Sequence, residues 1–189
     1  DRTSISRQRE GLEVINSQVK NLTAFLDSYH RLTHLPEPEY KTVSVPALFT
    51  KLERLLQAEP RSERVVYCDG KADRSTGKEL QVYGDANLLT LALINLIRNA
   101  LQAVEGQEDG IVRVDTCAGA TGHLLIIITD NGPGIPPERL SAIFTPFFST
   151  KSGGSGIGLP ISQRIMQLHG GQLSVSSIPN VRTEFRMEF

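Results

Sequence analysis

Tryptophan is absent from this sequence, and cysteine occurs only at Cys68 and Cys117. Two cysteines this far apart match no metal-ligand spacing and build no disulfide framework. A reduced, cytoplasmic pair is the expectation, with a single disulfide as the alternative. Neither sign of charge dominates. Lysine and arginine number 20 against 21 acidic residues, for a formal net charge of -1. That balance leaves no electrostatic footprint for nucleic acid or an anionic membrane surface. No apolar run approaches the ~20 residues needed to cross a bilayer, and no signal peptide opens the chain. The chain starts inside a polar, helix-like stretch, which predicts a piece of something longer that meets a membrane only through other regions. The four histidines are scattered and form no metal cluster. No HRD or DFG set of a protein kinase occurs. Gly70 to Glu79 loosely suggests a P-loop, but the glycine spacing is wrong and Glu79 stands where a Mg2+-binding hydroxyl is required, so it reads as a turn.

What is present suffices for one good core and a small appendage: 189 residues, 39% hydrophobic. Proline does not occur before Pro36. Over that stretch Leu12, Ile15, Val19, Leu22, Leu26 and Tyr29 recur at alternating steps of three and four, an a/d seam. The pattern predicts one helix over residues 1 to about 35 whose partner lies elsewhere, in a second copy. Packing on its own domain is the alternative. Leu35-Pro36-Glu37-Pro38-Glu39 then forbids helix continuation. The expected division is 1–38 for this helix and its linker, and 39–189 for a second domain.

Within 39–189, Ser44 is an expected cap for a helix from about Pro46 to Ala58. Val65 to Cys68 and Leu80 to Tyr83 read as short strands. Asp85 is expected to cap a long helix over about 86–104. Ile111 to Cys117 alternates like a strand, and Leu124 to Thr129 is a continuous apolar run like a central buried one. A Gly/Pro-rich stretch from 130 to 158 follows. A helix over about 159–169 is stopped by Gly170-Gly171, and strands over about 172–177 and 183–189 close the chain. Strands alternating irregularly with helices predict an α+β sandwich, with helices on one face of a mixed sheet.

Three segments carry chemistry. In Asn95-Leu96-Ile97-Arg98-Asn99-Ala100 the asparagines are four apart on one face of an otherwise apolar helix. Either they are satisfied interior amides, or they form a polar stripe facing a ligand, with an amide oxygen able to coordinate a hard cation such as Mg2+. Asp130-Asn131-Gly132-Pro133-Gly134-Ile135 follows the apolar strand. It reads as an ordinary tight turn, or as a carboxylate that accepts from a ligand amine where glycines let the ligand approach. Gly153-Gly154-Ser155-Gly156-Ile157-Gly158-Leu159 enters a helix, as a linker or as a phosphate cradle at the positive end of the dipole. Between the last two, the phenylalanines of Ile143 to Lys151 read as a hydrophobic clasp, as core packing, or as both.

The order of these pieces resembles the GHKL nucleotide-binding superfamily of histidine kinases, gyrase, heat-shock chaperone ATPases and mismatch-repair clamps. Asn95 to Ala100 is similar to its N box, Asp130 to Ile135 to its first glycine box and Gly154 to Leu159 to its second. Phe144 to Phe148 resembles the F box of histidine kinases, as does His169-Gly170-Gly171. The resemblance covers roughly residues 40–189 and implies a Bergerat-type two-layer sandwich that binds ATP with Mg2+. It assigns the metal to Asn99, the adenine amino group to Asp130, and room for the base to Gly132 and Gly134. It assigns the flexible lid to Gly154, Ser155, Gly156, Ile157, Gly158 and Leu159, the clasp to Phe144, and a late-box role at the adenine end to Thr183. Gln102 and Lys151 are candidates for phosphate contact, with Lys151 stabilising phosphoryl charge.

Asn95 stands where the family's ATPases carry a glutamate base, which argues for phosphoryl transfer over hydrolysis. The resemblance therefore implies a histidine kinase catalytic region, a homodimer through its N-terminal helix in the intact kinase, and a response-regulator receiver domain as partner. Three departures stand out. Arg182 replaces a glycine before Thr183, and Ala103 replaces an aromatic found in some relatives. No histidine is followed by an acidic residue, since His30 precedes Arg31 and His34 precedes Leu35, so the phosphoacceptor is expected outside this chain. The competing readings are an ATPase or clamp of the same fold, which would release phosphate steadily, and a non-catalytic scaffold, which would bind no nucleotide.

Overall fold

A computed structural model describes residues 15, 16, 18, 19, 23, 26, 29, 30, 34–68, 79–118, 123–151 and 154–189. The elements in chain order are β1 (Lys41–Ser44), α1 (Val45–Leu56), β2 (Val65–Tyr67), β3 (Gln81–Gly84), α2 (Ala86–Ala103), β4 (Val112–Ala118) and β5 (Leu124–Asp130). They continue with α3 (Pro137–Leu140), α4 (Gly158–Leu168), β6 (Gln172–Ile178) and β7 (Arg182–Glu188). Five strands form one sheet in the order β2-β4-β5-β7-β6. β2 runs parallel to β4 and every other pair is antiparallel. α1, α2 and α4 supply the helical layer, so the α+β sandwich with a mixed sheet is the architecture observed.

The caps sit where the sequence places them. The Ser44 hydroxyl accepts from the Ala47 amide at 3.2 Å, with Pro46 in the first turn of α1. Asp85 caps α2 through Oδ1, which accepts from Asn87 and Leu88 at 2.8 and 3.0 Å. α2 then buries Leu89, Leu93, Leu96 and Ile97 completely, against Ile126 and Ile128 of β5 and Ile165 and Met166 of α4. β5 is buried on one face only. Leu124, Ile126, Ile128 and Asp130 point into the core layer, while the residues between them are half-exposed. The run that reads as doubly buried is thus an alternating strand of an antiparallel sheet. Asp130 is the last place in its aliphatic row, and this geometry builds the site.

One feature differs from the sequence expectation. Lys41–Ser44 pairs antiparallel with Gln81–Gly84 as a separate two-stranded ribbon, pinned by the opposed, buried Val43 and Val82. The residues just before it are tied to the sandwich. The Glu39 amide donates to Asp85 Oδ2 at 2.8 Å, and the Tyr40 hydroxyl donates to the Leu168 carbonyl at 2.6 Å. N-terminal to the linker the described positions from 15 to 30 are helical, with Ile15, Val19, Leu26 and Tyr29 all at least half exposed. Leu12 and Leu22 of the expected seam, and the turn over residues 69–78, lie outside the described residues.

Candidate functional site

A cavity of about 590 Å³ opens between α2, the C-terminal end of β5, the segment after it and the start of α4. One face of α2 supplies Asn95, Arg98, Asn99, Gln102 and Ala103. Their spacing of three and four puts them on one stripe, opposite the leucines that bind α2 to the core. Asn95 Nδ2 donates to the Gly158 carbonyl at 3.4 Å. It therefore holds the first turn of α4 against α2. Asn99 is half-buried on the cavity wall, and no group among the described residues hydrogen-bonds its carboxamide.

At the other end lies Asp130, only 2% exposed. Its Oδ1 accepts from the Gly132 amide at 2.9 Å. Burial raises its pKa from 3.8 to about 6, although that amide and the charge of Lys151 both pull it down. Gly132 is required here, because a Cβ would stand 2.7 Å from Asp130 Oδ1 and 3.0 Å from Ala103 Cβ. Thr183 sits opposite Asp130 in the β5–β7 register, buried, with its hydroxyl 3.2 Å from Ser177 Oγ. The same Ser177 oxygen accepts from the Ile135 amide at 2.8 Å, which ties the turn after β5 to β6. Arg182 takes the place of a glycine without disturbing this end. It pairs with Ile178 as an ordinary strand residue, and Asn180, at φ 59°, supplies the left-handed position of the turn.

The facing wall is loop. Phe147 and Gly156 both have left-handed backbones, at φ 65° each, and the Phe147 amide donates to the Gly156 carbonyl at 3.0 Å. A Cβ on Gly156 would lie 2.6 Å from the Phe147 carbonyl carbon and 2.7 Å from the Phe148 oxygen. The aromatic segment and the glycine-rich segment therefore cross, backbone on backbone, at the base of the loop between them. Beyond that crossing α4 begins at Gly158 with no side-chain cap. In that first turn Pro160 carries no amide hydrogen and the Ile161 amide donates to the Ile157 carbonyl at 3.0 Å, which leaves the amides of Gly158 and Leu159, two residues that line the cavity. Lys151 Nζ donates to Gln102 Oε1 at 2.8 Å. The residue is exposed as a whole, but its ammonium reaches into the cavity. There partial loss of water lowers its pKa, while Asp130 and Glu105 act in the opposite direction.

Of the residues singled out from the sequence, Asn95, Asn99, Gln102, Asp130, Gly134, Lys151, Gly154, Ser155, Gly156, Gly158, Leu159 and Thr183 line this one cavity. Three do not. Gly132 is buried beneath Asp130, Ile157 is 6% exposed in the core, and Phe144 packs against the core. An apolar residue between glycines reads as loop; here Ile157 is the plug that seats the loop on the core. Phe148 lines the cavity in place of Phe144. Arg98 and Arg139 also line it, and sequence reasoning gave neither a role. Arg98 was findable, since it follows Asn95 by three positions on the same stripe.

Residues 84–189 match the family described as histidine kinase-, DNA gyrase B-, and HSP90-like ATPase. The sensor histidine kinase ZraS of Salmonella typhimurium is 42% identical over 98 residues, which are 52% of this chain and 21% of that protein. The sensory histidine kinase/phosphatase NtrB of Vibrio alginolyticus is 33% identical over 184 residues, 92% of this chain and 50% of that one. The chain thus spans half or less of the length of these relatives. The catalytic domain of histidine kinase ThkA superposes with a TM-score of 0.65 at 27% identity, covering 80% of this chain and 95% of that one.

Proposed function

The chain belongs to the histidine kinase-, DNA gyrase B- and HSP90-like ATPase family, as a sensor histidine kinase ATP-binding domain, and from that premise we propose a specific phosphotransfer role. In this reading the cavity binds Mg-ATP, and the γ-phosphate passes to a histidine on a dimerisation helix of the whole kinase. It is relayed from there to an aspartate on a response-regulator receiver domain. Residues 1–38 are part of the dimerisation hairpin and its linker, through which two copies pair, and 39–189 form the cytoplasmic catalytic domain. Among the described residues no helix is long and apolar enough to cross a membrane.

The observation that carries the reading is the buried carboxylate at the end of the β5 row, facing an amide stripe and an uncapped helix N-terminus across one cavity. Asp130 accepts from the adenine amino group, with Thr183 beside it and Gly134 leaving room for the base. The first turn of α4 turns its amides to the phosphates. Asn99 fits a divalent cation that arrives with the phosphates. Among the described residues its amide has no hydrogen-bond partner, and no cluster of three His, Cys, Asp or Glu side chains could cage a metal. Mg2+, when bound, neutralises charge on the phosphates. Lys151 must leave Gln102 to reach them, which makes it a lid residue that adds positive charge on closure. Asn95 cannot take a proton from water at neutral pH, so the site is built to position phosphate for another acceptor. None of His30, His34, His123 and His169 precedes an acidic residue, so the acceptor is assigned to another helix.

The test is calorimetric titration of ADP and a non-hydrolysable ATP analogue, with and without Mg2+. Asp130→Ala should weaken both nucleotides about a hundredfold, since a buried polar group is left without its partner. Asn99→Ala should abolish the increment that Mg2+ adds and leave metal-free binding in place. A wild-type chain that binds no nucleotide at millimolar concentration overturns the reading.

A further inference from the structure

A second, open cavity of about 410 Å³ adjoins the first, walled by Glu59, Pro60 and Arg61 after α1, by Arg98, Leu101 and Gln102 of α2, and by Glu105 just beyond its end. Arg98 and Gln102 line both cavities, so their side chains are the partition. Lys151 holds Gln102 from the first cavity. Arg98 is held from the second. Its Nε donates to Glu59 Oε1 at 3.0 Å, and a second guanidinium nitrogen donates to that same oxygen.

The geometry points to Arg98 as a phosphate-binding residue of the nucleotide site, with Glu59 as the positioning residue that holds it aside until a polyphosphate enters. The inference rests on the nucleotide reading and deepens it. Three cations line the first cavity among the described residues: Arg98, Arg139 and Lys151. Lys151 is committed to Gln102 and lies close enough to Asp130 to share its field. Arg139 belongs to α3, which follows the turn that Ser177 ties down beside Thr183. Arg139 therefore serves the Asp130 end, and Lys151 reaches the phosphates only once it leaves Gln102. Arg98 alone shares a stripe with Asn95 and Asn99, opposite Gly154 and the start of α4.

The energetics favour an exchange of partners. The Arg98 and Glu59 side chains are 53% and 26% exposed, and a pair so open to water is weak. Both Arg98 bonds converge on one carboxylate oxygen, so the planar fork of the guanidinium goes unused. A phosphate offers it two oxygens side by side. Glu59 thus offers Arg98 the partner that a phosphate would replace, and a nucleoside monophosphate, whose single phosphate stops short, leaves the pair closed. Arg98 then makes the site choose triphosphate over monophosphate, and Glu59 sets how readily it does so.

Titrating AMP, ADP and a non-hydrolysable ATP analogue with Mg2+ into wild type, Arg98→Ala, Arg98→Lys and Glu59→Gln tests this. Arg98→Ala should reduce affinity for the ATP analogue about tenfold, with a loss that shrinks through ADP to AMP. Arg98→Lys should recover part of it, because the charge returns without the fork. Glu59→Gln should raise affinity for the ATP analogue about two- to fivefold and leave AMP in place, an outcome no merely structural role for the pair produces. Equal losses for all three nucleotides in Arg98→Ala, or no gain in Glu59→Gln, overturns the inference while the nucleotide reading stands. A wild-type chain that binds none of the three overturns both.

Discussion

Helix α2 and the segment from Asn131 to Ile157 face each other across one cavity and hold their groups by opposite means. α2 is 18 residues of continuous hydrogen-bonded helix, capped by Asp85 and buried along one side by leucines with no exposed surface. Its amides inherit a frame that cannot shift without opening the core. Among its described residues the facing segment has a single four-residue helix and three left-handed residues, Gly134, Phe147 and Gly156. Its shape rests on a few long-range bonds, notably those from the Phe147 and Ile135 amides. On the proposed reading, the groups that need fixed geometry stand on the first wall, and those that fold over a ligand stand on the second. A site that binds and then closes needs both kinds of wall.

The largest effect should come from loosening the rigid wall. Leu96 is fully buried between two amide-bearing turns. Leu96→Ala should cost about 2–5 kcal/mol in denaturant unfolding, the usual range for a core leucine. A cost under ~1 kcal/mol would mean that the amide stripe is not anchored through the core.

Next comes Asp130, where the two walls meet. Its carboxyl is raised from 3.8 to about 6 by burial, so the folded chain holds this proton more tightly than the unfolded one. The stability contributed by the neutral form is fully present below about pH 4 and is lost as pH rises through about 6, on the order of 3 kcal/mol across that window. Nucleotide affinity runs the other way, because an adenine amino group donates to the ionised form. Binding should weaken as pH falls below about 6 and should release a proton near that pH. Calorimetry in buffers of different ionisation enthalpy measures that release, and Asp130→Asn should remove it. Affinity that is flat between about pH 5 and about pH 7 would detach Asp130 from the base.

The same contrast explains what could be read ahead of the structure. α2, its cap and its paired asparagines were legible because helical spacing is local. Asp130 was legible as a carboxylate after an apolar strand, but its place at the end of a row buried on one face needed the sheet, since an aliphatic run does not show whether one face or two are covered. β1 was missed because Lys41-Thr42-Val43-Ser44 carries one apolar side chain and takes its strand from a distant partner. On the loop wall the glycines announced permissive backbone without saying what it meets. That Gly156 lies against Phe147 and that Ile157 is a core plug are properties of the crossing, which neither segment contains alone.

That crossing gives the third prediction. An alanine at Gly156 must hold a left-handed backbone and push a methyl group into the Phe147 carbonyl carbon at 2.6 Å. The conformation alone costs about 1–2 kcal/mol, and the clash is with backbone, which yields poorly. Gly156→Ala should speed hydrogen exchange at the Phe147 amide and weaken triphosphate binding, with global unfolding much less affected. Unchanged exchange at Phe147 would mean that the two segments do not depend on each other.

Gly158 is the control that sharpens the contrast, with the smallest effect on folding. It lies two residues further on but belongs to α4, with an ordinary backbone. A Cβ there would meet Asn95 Cγ at 3.7 Å, a normal contact. Alanine is also a better helix former than glycine, by up to ~1 kcal/mol in a helix interior and less at its first residue. Stability of Gly158→Ala should stay within about 0.5 kcal/mol of wild type, or rise. Any change in binding then reports on the ligand and not on the protein. If the phosphates rest on the α4 amides, the added methyl group lies in their path, and affinity for the ATP analogue should fall while AMP is little affected. If both nucleotides bind as before, the helix terminus is not the phosphate seat, and that part falls to Arg98 and the loop.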